Sequence, residues 1–334
     1  MRGYVLDRYG DATAMTLRDV PVPAAAAGSV LIRVHAAGLN PVDYKIRQGK
    51  MRLLNRLDLP LVAGSELAGV VDAVGKGITR FAEGDRVFAR VDKSKLGAFA
   101  DYAAVSESLV AAMPASLGFV QAAGLPLAGL TALQALRDEL DVAKGDRLFI
   151  SGGAGGVGTM AIQIAAWMGA EVATTASAAG DALVRRLGAD RVIDYTRERF
   201  QDTLHDYDAA FDLIGGSDLA AMFAIVKPGG TVVTIAGVPE RTRASQDLDA
   251  GPLVSALLWL ASARLRRQAR RHGVTYRYLF MRPSGEDLTF LARLADERAL
   301  EVVIDRVFPF DQISDAFAHL EQGRTKGKVV VQMV

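Results

Sequence analysis

The chain has 334 residues, of which 50% are hydrophobic and 23% charged, with a formal net charge of +1. This length predicts two domains, and the small net charge excludes a global attraction to nucleic acid or to an anionic membrane. The lack of cysteine excludes disulfides and thiolate metal sites, and we expect a cytoplasmic protein.

The N-terminal part, residues 1 to about 122, is predicted to be a β-rich module. Short strand-like runs at 29–34, 67–71 and 85–89 are broken by Gly, Pro and Asn, and the alanines at 24–27 are predicted to be a loop. The chain starts with charged, strand-like residues, so we expect no secretion signal.

From about residue 123 to 283, apolar helices alternate with single strands, predicted at 147–150, 171–174, 210–214 and 231–235. Such alternation predicts a parallel, doubly wound α/β sheet. After residue 283 we expect a helix at 288–295, a strand at 302–304, a helix at 315–320 and a strand at 328–331. This tail is expected to return to the first module.

The most informative motif joins the strand at 147–150 to the helix predicted at 159–168. Its glycines, Gly153, Gly155 and Gly158, follow the spacing of a dinucleotide-binding turn. Glycines let the backbone approach a pyrophosphate at the positive end of the helix, whereas the alternative is a plain glycine turn. The candidate cofactor residues are Gly153, Ala154, Gly155, Gly156, Val157 and Gly158.

The end of the next strand indicates which nicotinamide cofactor is preferred. An acidic residue there pairs with the ribose of NAD, but this chain has Thr174, Thr175, Ala176 and Ser177. Thr175 and Ser177 can donate hydrogen bonds to a 2′-phosphate, so we predict NADPH. The alternative role of both hydroxyls is helix capping or turn formation.

Six segments in the same order resemble the medium-chain dehydrogenase/reductase superfamily, in its zinc-free quinone oxidoreductase and alkenal or enone reductase branch. Besides the glycine loop, they are AGLNPVDYK (37–45), GSELAGVV (64–71), LPLAGLTA (125–132), LGADRVIDY (187–195) and GRTKGKVV (323–330). The resemblance implies a GroES-like β-rich catalytic domain (1–122 and 284–334), a Rossmann domain (123–283) and an active site in the cleft between them.

The resemblance also assigns site residues. Zinc-dependent members carry a cysteine ligand at the position of Asn40 and a histidine ligand at that of Ser65, so no metal site is expected. Tyr195 is expected beside the adenosine phosphate, or else as an aromatic packed at a strand end. Gly215, Ala236 and Gly237, in loops that follow later strands, are expected to line the nicotinamide, or else to form ordinary turns.

The chemistry predicted without a metal is hydride delivery to the conjugated carbon of an enone or alkenal, or to a quinone. Tyr44 and Lys45 are the candidate donors to the substrate oxygen, and Asn40 is a candidate for orienting nicotinamide or substrate. The alternatives are a turn at Asn40 and a solvated Lys45. A different class of function, an NADPH-binding protein with a mainly structural or interaction role, stays open.

The segment 251–282 is predicted to be a basic helical insertion, with an apolar start and five arginines between 264 and 271. It is too short to span a bilayer. It can lie on an anionic membrane, contact nucleic acid, cover the active site, or simply be a packed helix with a solvated or dimer-facing basic end; the last is preferred. We therefore predict a small-molecule substrate and no nucleic-acid partner, and a homodimer is plausible.

Overall fold

The computed structural model describes residues 1–52, 56–239 and 252–333, with side chains of the helix that starts at 252 described from residue 256 onward. The chain forms two compact units. The first unit comprises Met1–Leu130 and Arg282–Val334, and the second comprises Thr131–Met281. Both termini therefore belong to the first unit.

The first unit is built on two sheets. Their strands are β1 (Arg2–Leu6), β2 (Met15–Asp19), β3 (Ser29–Leu39), β4 (Leu61–Val62), β5 (Glu66–Val74), β6 (Arg86–Arg90), β7 (Tyr102–Ser106), β8 (Val110–Ala112), β15 (Ile304–Pro309) and β16 (Lys328–Gln332). The smaller sheet has the order β2-β1-β4, and the larger has the order β15-β16-β3-β5-β6-β8, with β7 also paired to β3.

Strand β3 is the centre of this unit, because it pairs antiparallel with β5, β7 and β16. Its residues are mostly buried, as expected for a strand with neighbours on both sides. Pairing with β16 brings the C-terminal strand to the N-terminal module, as the sequence predicted. The helices of this unit are α1 (Pro41–Arg47), α2 (Phe119–Gly124), α9 (Gly285–Asp296) and α10 (Ile313–Glu321), and α3 (Pro126–Gln134) starts in it.

The second unit contains a parallel sheet whose described strands are β9 (Arg147–Ile150), β10 (Glu171–Ala176), β11 (Arg191–Asp194), β12 (Tyr207–Asp212), β13 (Val226–Thr234) and β14 (Thr275–Tyr278). Their order in the sheet is β11-β10-β9-β12-β13-β14. Its helices are α4 (Gly156–Met168), α5 (Ala178–Arg186), α6 (Gly216–Ile225), α7 (Pro252–Ala261) and α8 (Ala263–Arg271). The strand order reverses between β9 and β12, which is where ligands bind in such sheets.

The predicted α/β fold class is confirmed, and two local predictions need revision. Residues 302–303 lie outside any strand, and the strand starts at Ile304 instead and continues to Pro309. The predicted basic insertion is also divided: α8 packs on the sheet through Leu265 and Ala269, and β14 is the sixth strand of the sheet itself. Residues 240–251, which include Gly251 at the start of that segment, lie outside the described residues.

Candidate functional site

The glycine loop connects β9 to α4, as the motif predicts. Gly155 occupies the N-cap position, and α4 runs for 13 residues from Gly156. The loop is tied to the end of β10, because Gly152 N donates to Thr175 Oγ1 at 2.8 Å and Gly153 N donates to Thr175 O at 3.0 Å. The predicted residues of this loop divide into two sets, the buried Gly153 and Gly158, and the partly exposed Ala154, Gly155, Gly156 and Val157.

These glycines are required for different reasons. A Cβ at Gly158 would lie 2.4 Å from Gly152 O, and one at Gly153 would lie 2.2 Å from Thr174 Oγ1, so internal packing requires glycine at both. Of the part of the chain that the structure describes, a Cβ at Gly155 would meet Gly152 O alone, at an ordinary 3.5 Å. Protein packing leaves room for a side chain at Gly155, whereas close approach of a pyrophosphate does not. The loop thus fits a dinucleotide.

The end of β10 places the two predicted hydroxyl residues differently. Thr175 is buried, and its oxygen accepts the Gly152 hydrogen bond, so it holds the glycine loop. Ser177 is partly exposed at the N-cap of α5, where its side chain makes no capping hydrogen bond. The end of β10 itself carries no acid, but the adjacent strand β11 ends at Asp194, which pairs in register with Ala176. Asp181, one turn into α5, pairs with Arg185 at 2.9 Å.

A buried carboxylate that the sequence analysis missed joins three strand ends. Asp212 Oδ1 accepts hydrogen bonds from Ser151 Oγ (3.3 Å), Ile214 N (3.1 Å) and Gly215 N (2.9 Å), and Oδ2 accepts from Thr234 Oγ1 at 2.6 Å. We call Ser151, Asp212 and Thr234 the Asp212 hub. Its signal in the sequence is a polar residue directly after or at the end of each apolar strand.

The hub fixes the loops that were predicted to line the nicotinamide. Thr234 Oγ1 accepts hydrogen bonds from Ala236 N (3.0 Å) and Gly237 N (2.9 Å). Gly215 has a φ of 81°, and a Cβ there would lie 2.8 Å from Ala236 O, so the two loops contact each other. The glycine loop, Gly215, Ala236 and Gly237 thus all lie at the carboxyl ends of adjacent strands.

Tyr195 directly follows β11 and is 62% exposed. An aromatic packed at a strand end, the alternative considered for this residue, would have most of its surface covered. Its exposed ring is therefore available to a ligand at the edge of the second unit.

In the first unit, the predicted catalytic segment starts at a buried polar cluster. Lys328 Nζ donates to Leu39 O (3.2 Å), to Glu66 Oε1 (2.8 Å) and to Asn40 Oδ1. Asn40 Nδ2 donates to the same Glu66 oxygen at 2.7 Å, and Leu127 N donates to Glu66 Oε2 at 2.6 Å. We call Asn40, Glu66 and Lys328 the Lys328 cluster. Both polar atoms of the Asn40 side chain are engaged within it.

Asp43 and Ser65 lie next to this cluster. Asp43 accepts hydrogen bonds from Ser65 Oγ and, at 2.8 Å, from Asn40 N, which completes a capping box at the start of α1. Burial raises the pKa of Asp43 to about 6, against these hydrogen bonds and the attraction of Arg90. Burial lowers the pKa of Arg90, whose guanidinium donates to Ser65 O at 3.0 Å.

The two predicted proton donors, Tyr44 and Lys45, have different surroundings on α1. Tyr44 is partly buried against the core, and burial, with the charge of Glu321, raises its pKa. Lys45 is also partly buried, and burial, with the charge of Lys50, lowers its pKa. Within the described ranges, Lys45 has no carboxylate partner. Its ammonium is therefore a better candidate than the Tyr44 hydroxyl for donating a hydrogen bond to a ligand.

A zinc ion does not fit the positions where the superfamily's zinc-dependent members hold one. Among the described residues, no group of three His, Asp or Glu side chains is arranged to hold a metal. Asn40 and Ser65 offer an amide and a hydroxyl, and the nearby carboxylates are already paired with the buried ammonium of Lys328 or hydrogen bonded to Ser65.

The four histidines offer no alternative ligand set. His319 Nε2 lies 2.6 Å from Asp305, and His205 and His272 are exposed. His35 stacks on Phe119 at a centroid distance of 4.2 Å, and burial lowers its pKa. Its Nε2 is buried without a hydrogen-bond partner among the described residues. No helix in the described ranges is long and apolar enough to cross a membrane.

Two family models match the chain. One, described as the alcohol dehydrogenase GroES-like domain, matches residues 26–115, and the other, described as a zinc-binding dehydrogenase, matches residues 187–331. The "NADPH-dependent alkenal/one oxidoreductase, chloroplastic" of Arabidopsis thaliana is 37% identical over 99% of this chain and 79% of its own length.

Solved structures agree with these matches. A quinone oxidoreductase from Coxiella burnetii has 31% identity and a TM-score of 0.86, covering 100% of this chain and 99% of its own. A mycobacterial protein solved in complex with NADPH has 26% identity and a TM-score of 0.83, covering 100% of both chains. The glycine loop, the two folded units and these similarities together show that the chain belongs to the medium-chain dehydrogenase/reductase superfamily, in its quinone oxidoreductase and alkenal/enone reductase branch.

Proposed function

We propose that the protein is an NADPH-dependent reductase that delivers hydride to the conjugated carbon of an enone or alkenal, or to a quinone, without a metal. The observation that carries the proposal is the glycine loop, whose open position at Gly155 fits a pyrophosphate and whose neighbouring strand end has hydroxyls instead of an acid. The Arabidopsis relative named as an NADPH-dependent alkenal/one oxidoreductase supports the cofactor and the substrate class.

The cofactor is assigned to the second unit. The N–H groups at the start of α4 bind the pyrophosphate, Ser177 donates to the 2′-phosphate, and Tyr195 lies beside the adenosine phosphate. Thr175 supports this site indirectly, since it holds the glycine loop. The loops that carry Gly215, Ala236 and Gly237 are assigned to the nicotinamide, which supplies a hydride when it is bound.

The chemistry on the substrate oxygen is assigned to α1. Lys45 donates a hydrogen bond to the oxygen and stabilises the negative charge that develops on it, because its ammonium is partly buried with a lowered pKa. Tyr44 is the second donor, but the raised pKa of its hydroxyl makes it the weaker acid. Asn40 acts as a positioning residue, since its side chain is engaged by Glu66 and Lys328.

The test is oxidation of NADPH and NADH by chelator-treated protein with a panel of alkenals, cyclic enones and quinones. We expect turnover that prefers NADPH and survives the chelator. Lys45→Met is expected to lower kcat by at least about tenfold, since a positioned acid typically contributes more than that. Lys76→Met, which removes an exposed lysine in the turn after β5, is the matched control and should leave kcat within about twofold.

Two outcomes would contradict the proposal. Activity lost on chelation would indicate a metal. Tight NADPH binding without turnover of any acceptor would favour the alternative, a binding protein with a structural or interaction role. The cytoplasmic location and the homodimer stay predictions, to be checked by cell fractionation and by light scattering.

A further inference from the structure

Helix α7 presents apolar side chains where a surface helix normally presents polar ones. Its described side chains, residues 256–261, are all apolar, and none is buried. Leu257, Trp259 and Leu260 are 58%, 45% and 62% exposed. A helix that is apolar on all sides is normally covered, and a contiguous exposed apolar patch indicates a binding surface.

The next helix, α8, is basic instead of apolar, and it is packed against the second unit. Leu265 and Ala269 pack on the core of the second unit, so α8 cannot turn its arginines inward. Arg264, Arg267, Arg270 and Arg271 are exposed, and within the described part of the chain none of them forms an ion pair. Arg264, Arg267 and Arg271 share one helical face, because they are three and four residues apart.

The two helices are joined by Arg266, the fifth arginine of α8. Its Nη2 donates to Trp259 O at 2.6 Å, its Nε donates to Ser262 Oγ at 3.2 Å, and its guanidinium lies 4.7 Å from the centre of the Trp259 ring. These contacts hold the apolar patch of α7 directly beside the arginine face of α8. Residues 252–285 contain no Asp or Glu, so nothing within this segment neutralises the face.

We propose that α7 and the arginine face of α8 form a docking surface for an anionic lipid bilayer. Leu257, Trp259 and Leu260 enter the headgroup region, where indole rings are favoured, and the guanidinium groups bind lipid phosphates. The helix is ten residues long, so it lies in the interface and does not span the membrane. The docking is independent of the reductase activity and is tested without it.

Other occupants fit this surface less well. A second copy related by a two-fold axis would bring the same patch against itself, together with two sets of unpaired arginines and no acidic residue from this segment. A nucleic acid would pair with the arginines, but its polyanionic backbone would leave the leucines of α7 in water. An anionic bilayer satisfies the apolar and the basic surface together.

The chain offers an internal reporter, because it contains only two tryptophans, Trp167 and Trp259. In full-length Trp167→Phe protein, Trp259 is the sole tryptophan. Its emission should shift to the blue with phosphatidylcholine/phosphatidylglycerol vesicles, and brominated lipid should quench it. Trp259→Phe protein, which keeps the 46% exposed Trp167, should show neither change.

Vesicle flotation measures the affinity. Replacing Arg264, Arg267, Arg270 and Arg271 by Gln should lower partitioning into anionic vesicles at least about 30-fold, since each basic residue near such a surface contributes severalfold. The same change at four exposed arginines elsewhere, Arg8, Arg52, Arg298 and Arg324, should lower it less than about threefold. Leu257→Ser/Leu260→Ser should also reduce binding, and about 1 M salt should largely release the wild-type protein.

Three results would overturn the proposal. The first is no vesicle binding by wild-type protein at about 0.1 M salt, where screening is modest. The second is equal binding to neutral and anionic vesicles. The third is an oligomer that dissociates in the Leu257→Ser/Leu260→Ser variant, or tight duplex binding that depends on the same arginines, without any response of Trp259 to vesicles. Circular dichroism checks that each variant folds. The tryptophan fluorescence experiment uses no substitution in α8, so it does not depend on the folding of the arginine variant.

Discussion

Glu66 in the first unit and Asp212 in the second unit are both buried carboxylates, but the charge of their hydrogen-bond partners differs. In the second unit, the donors that Asp212 finds among the described residues are uncharged: two backbone N–H groups and the hydroxyls of Ser151 and Thr234. In the first unit, Glu66 is paired with the ammonium of Lys328, which is 3% exposed.

The difference reflects what each carboxylate organises. Asp212 accepts hydrogen bonds from Ser151 after β9, from the loop after β12 and from Thr234 at the end of β13. These bonds fix the conformation of loops at the proposed nicotinamide site. Lys328, in β16, binds the carbonyl of Leu39 at the end of β3, so its cluster ties the C-terminal strand to the N-terminal module. Asp212 is stabilised by several neutral donors, whereas Glu66 has the ammonium of Lys328 in addition to two neutral donors.

We expect the largest loss of stability on substitution of Lys328, because it is the cation that is paired with the buried Glu66. Lys328→Met leaves the Glu66 carboxylate buried without its cation, so we expect the free energy of unfolding to fall by about 3–5 kcal/mol, measured by denaturant titration. The double variant with Glu66→Gln removes both charges and should recover much of that loss. A loss below about 1 kcal/mol for Lys328→Met would mean that the neutral donors around Glu66 suffice.

Asp43 gives the second prediction, which depends on pH. Its pKa is raised from an ordinary 3.8 to about 6, so the fold favours the protonated carboxyl. The stability contributed by this group is therefore full below pH 4, falls as the pH rises to about 6, and is constant above. Relative to Asp43→Asn, which does not titrate, wild-type protein should lose about 3 kcal/mol between about pH 3 and about pH 7.

Denaturant midpoints of both proteins across this range check the sign. Asp72→Asn, at an exposed position of β5, is the control and should track the wild type at every pH. A wild-type protein that gains stability relative to Asp43→Asn as the pH rises would show that the attraction of Arg90 outweighs burial.

The sequence predicted the elements whose signals are local. The β9–glycine loop–α4 unit and the alternation of the second unit were recognisable because strand period, glycine spacing and helix periodicity extend over a few residues only. The strand predicted at 302–304 was displaced by two residues. Val302 and Val303 are apolar but precede β15, which starts at Ile304 and continues through the polar residues Asp305 and Arg306.

The Asp212 hub and the Lys328 cluster were not predicted, because their members lie far apart in the sequence. Asp212 meets Ser151 and Thr234 across separations of 61 and 22 residues, and Lys328 meets Asn40 and Glu66 across 288 and 262. No spacing rule connects such residues, so only the sheet order brings them together. Asn40 was predicted to orient a ligand, and its engagement by Lys328 became visible only with β16 placed beside β3.

Asp212 supplies the third prediction. Asp212→Asn retains one acceptor oxygen but faces the Thr234 hydroxyl with an amide donor, so we expect a loss of about 2 kcal/mol in the free energy of unfolding. The loops of Gly215 and Ala236 should loosen, which weakens NADPH binding in a fluorescence titration. Asp208→Asn, four residues earlier in β12 with Lys227 as its partner, is the matched control and should cost less than about 1 kcal/mol.

The smallest effect on stability, and the sharpest test of the cofactor site, is expected at Gly155. Gly155→Ala places a Cβ where the protein offers only an ordinary contact, so the melting temperature should stay within a few degrees of the wild type. NADPH affinity should nevertheless fall at least about tenfold, because the methyl group occupies the approach of the pyrophosphate. Gly158→Ala, which clashes with the backbone of Gly152 and Gly153, should lose stability and affinity together. Equal NADPH affinity in Gly155→Ala and wild-type protein would place the pyrophosphate elsewhere and leave this loop as a packing feature of the second unit.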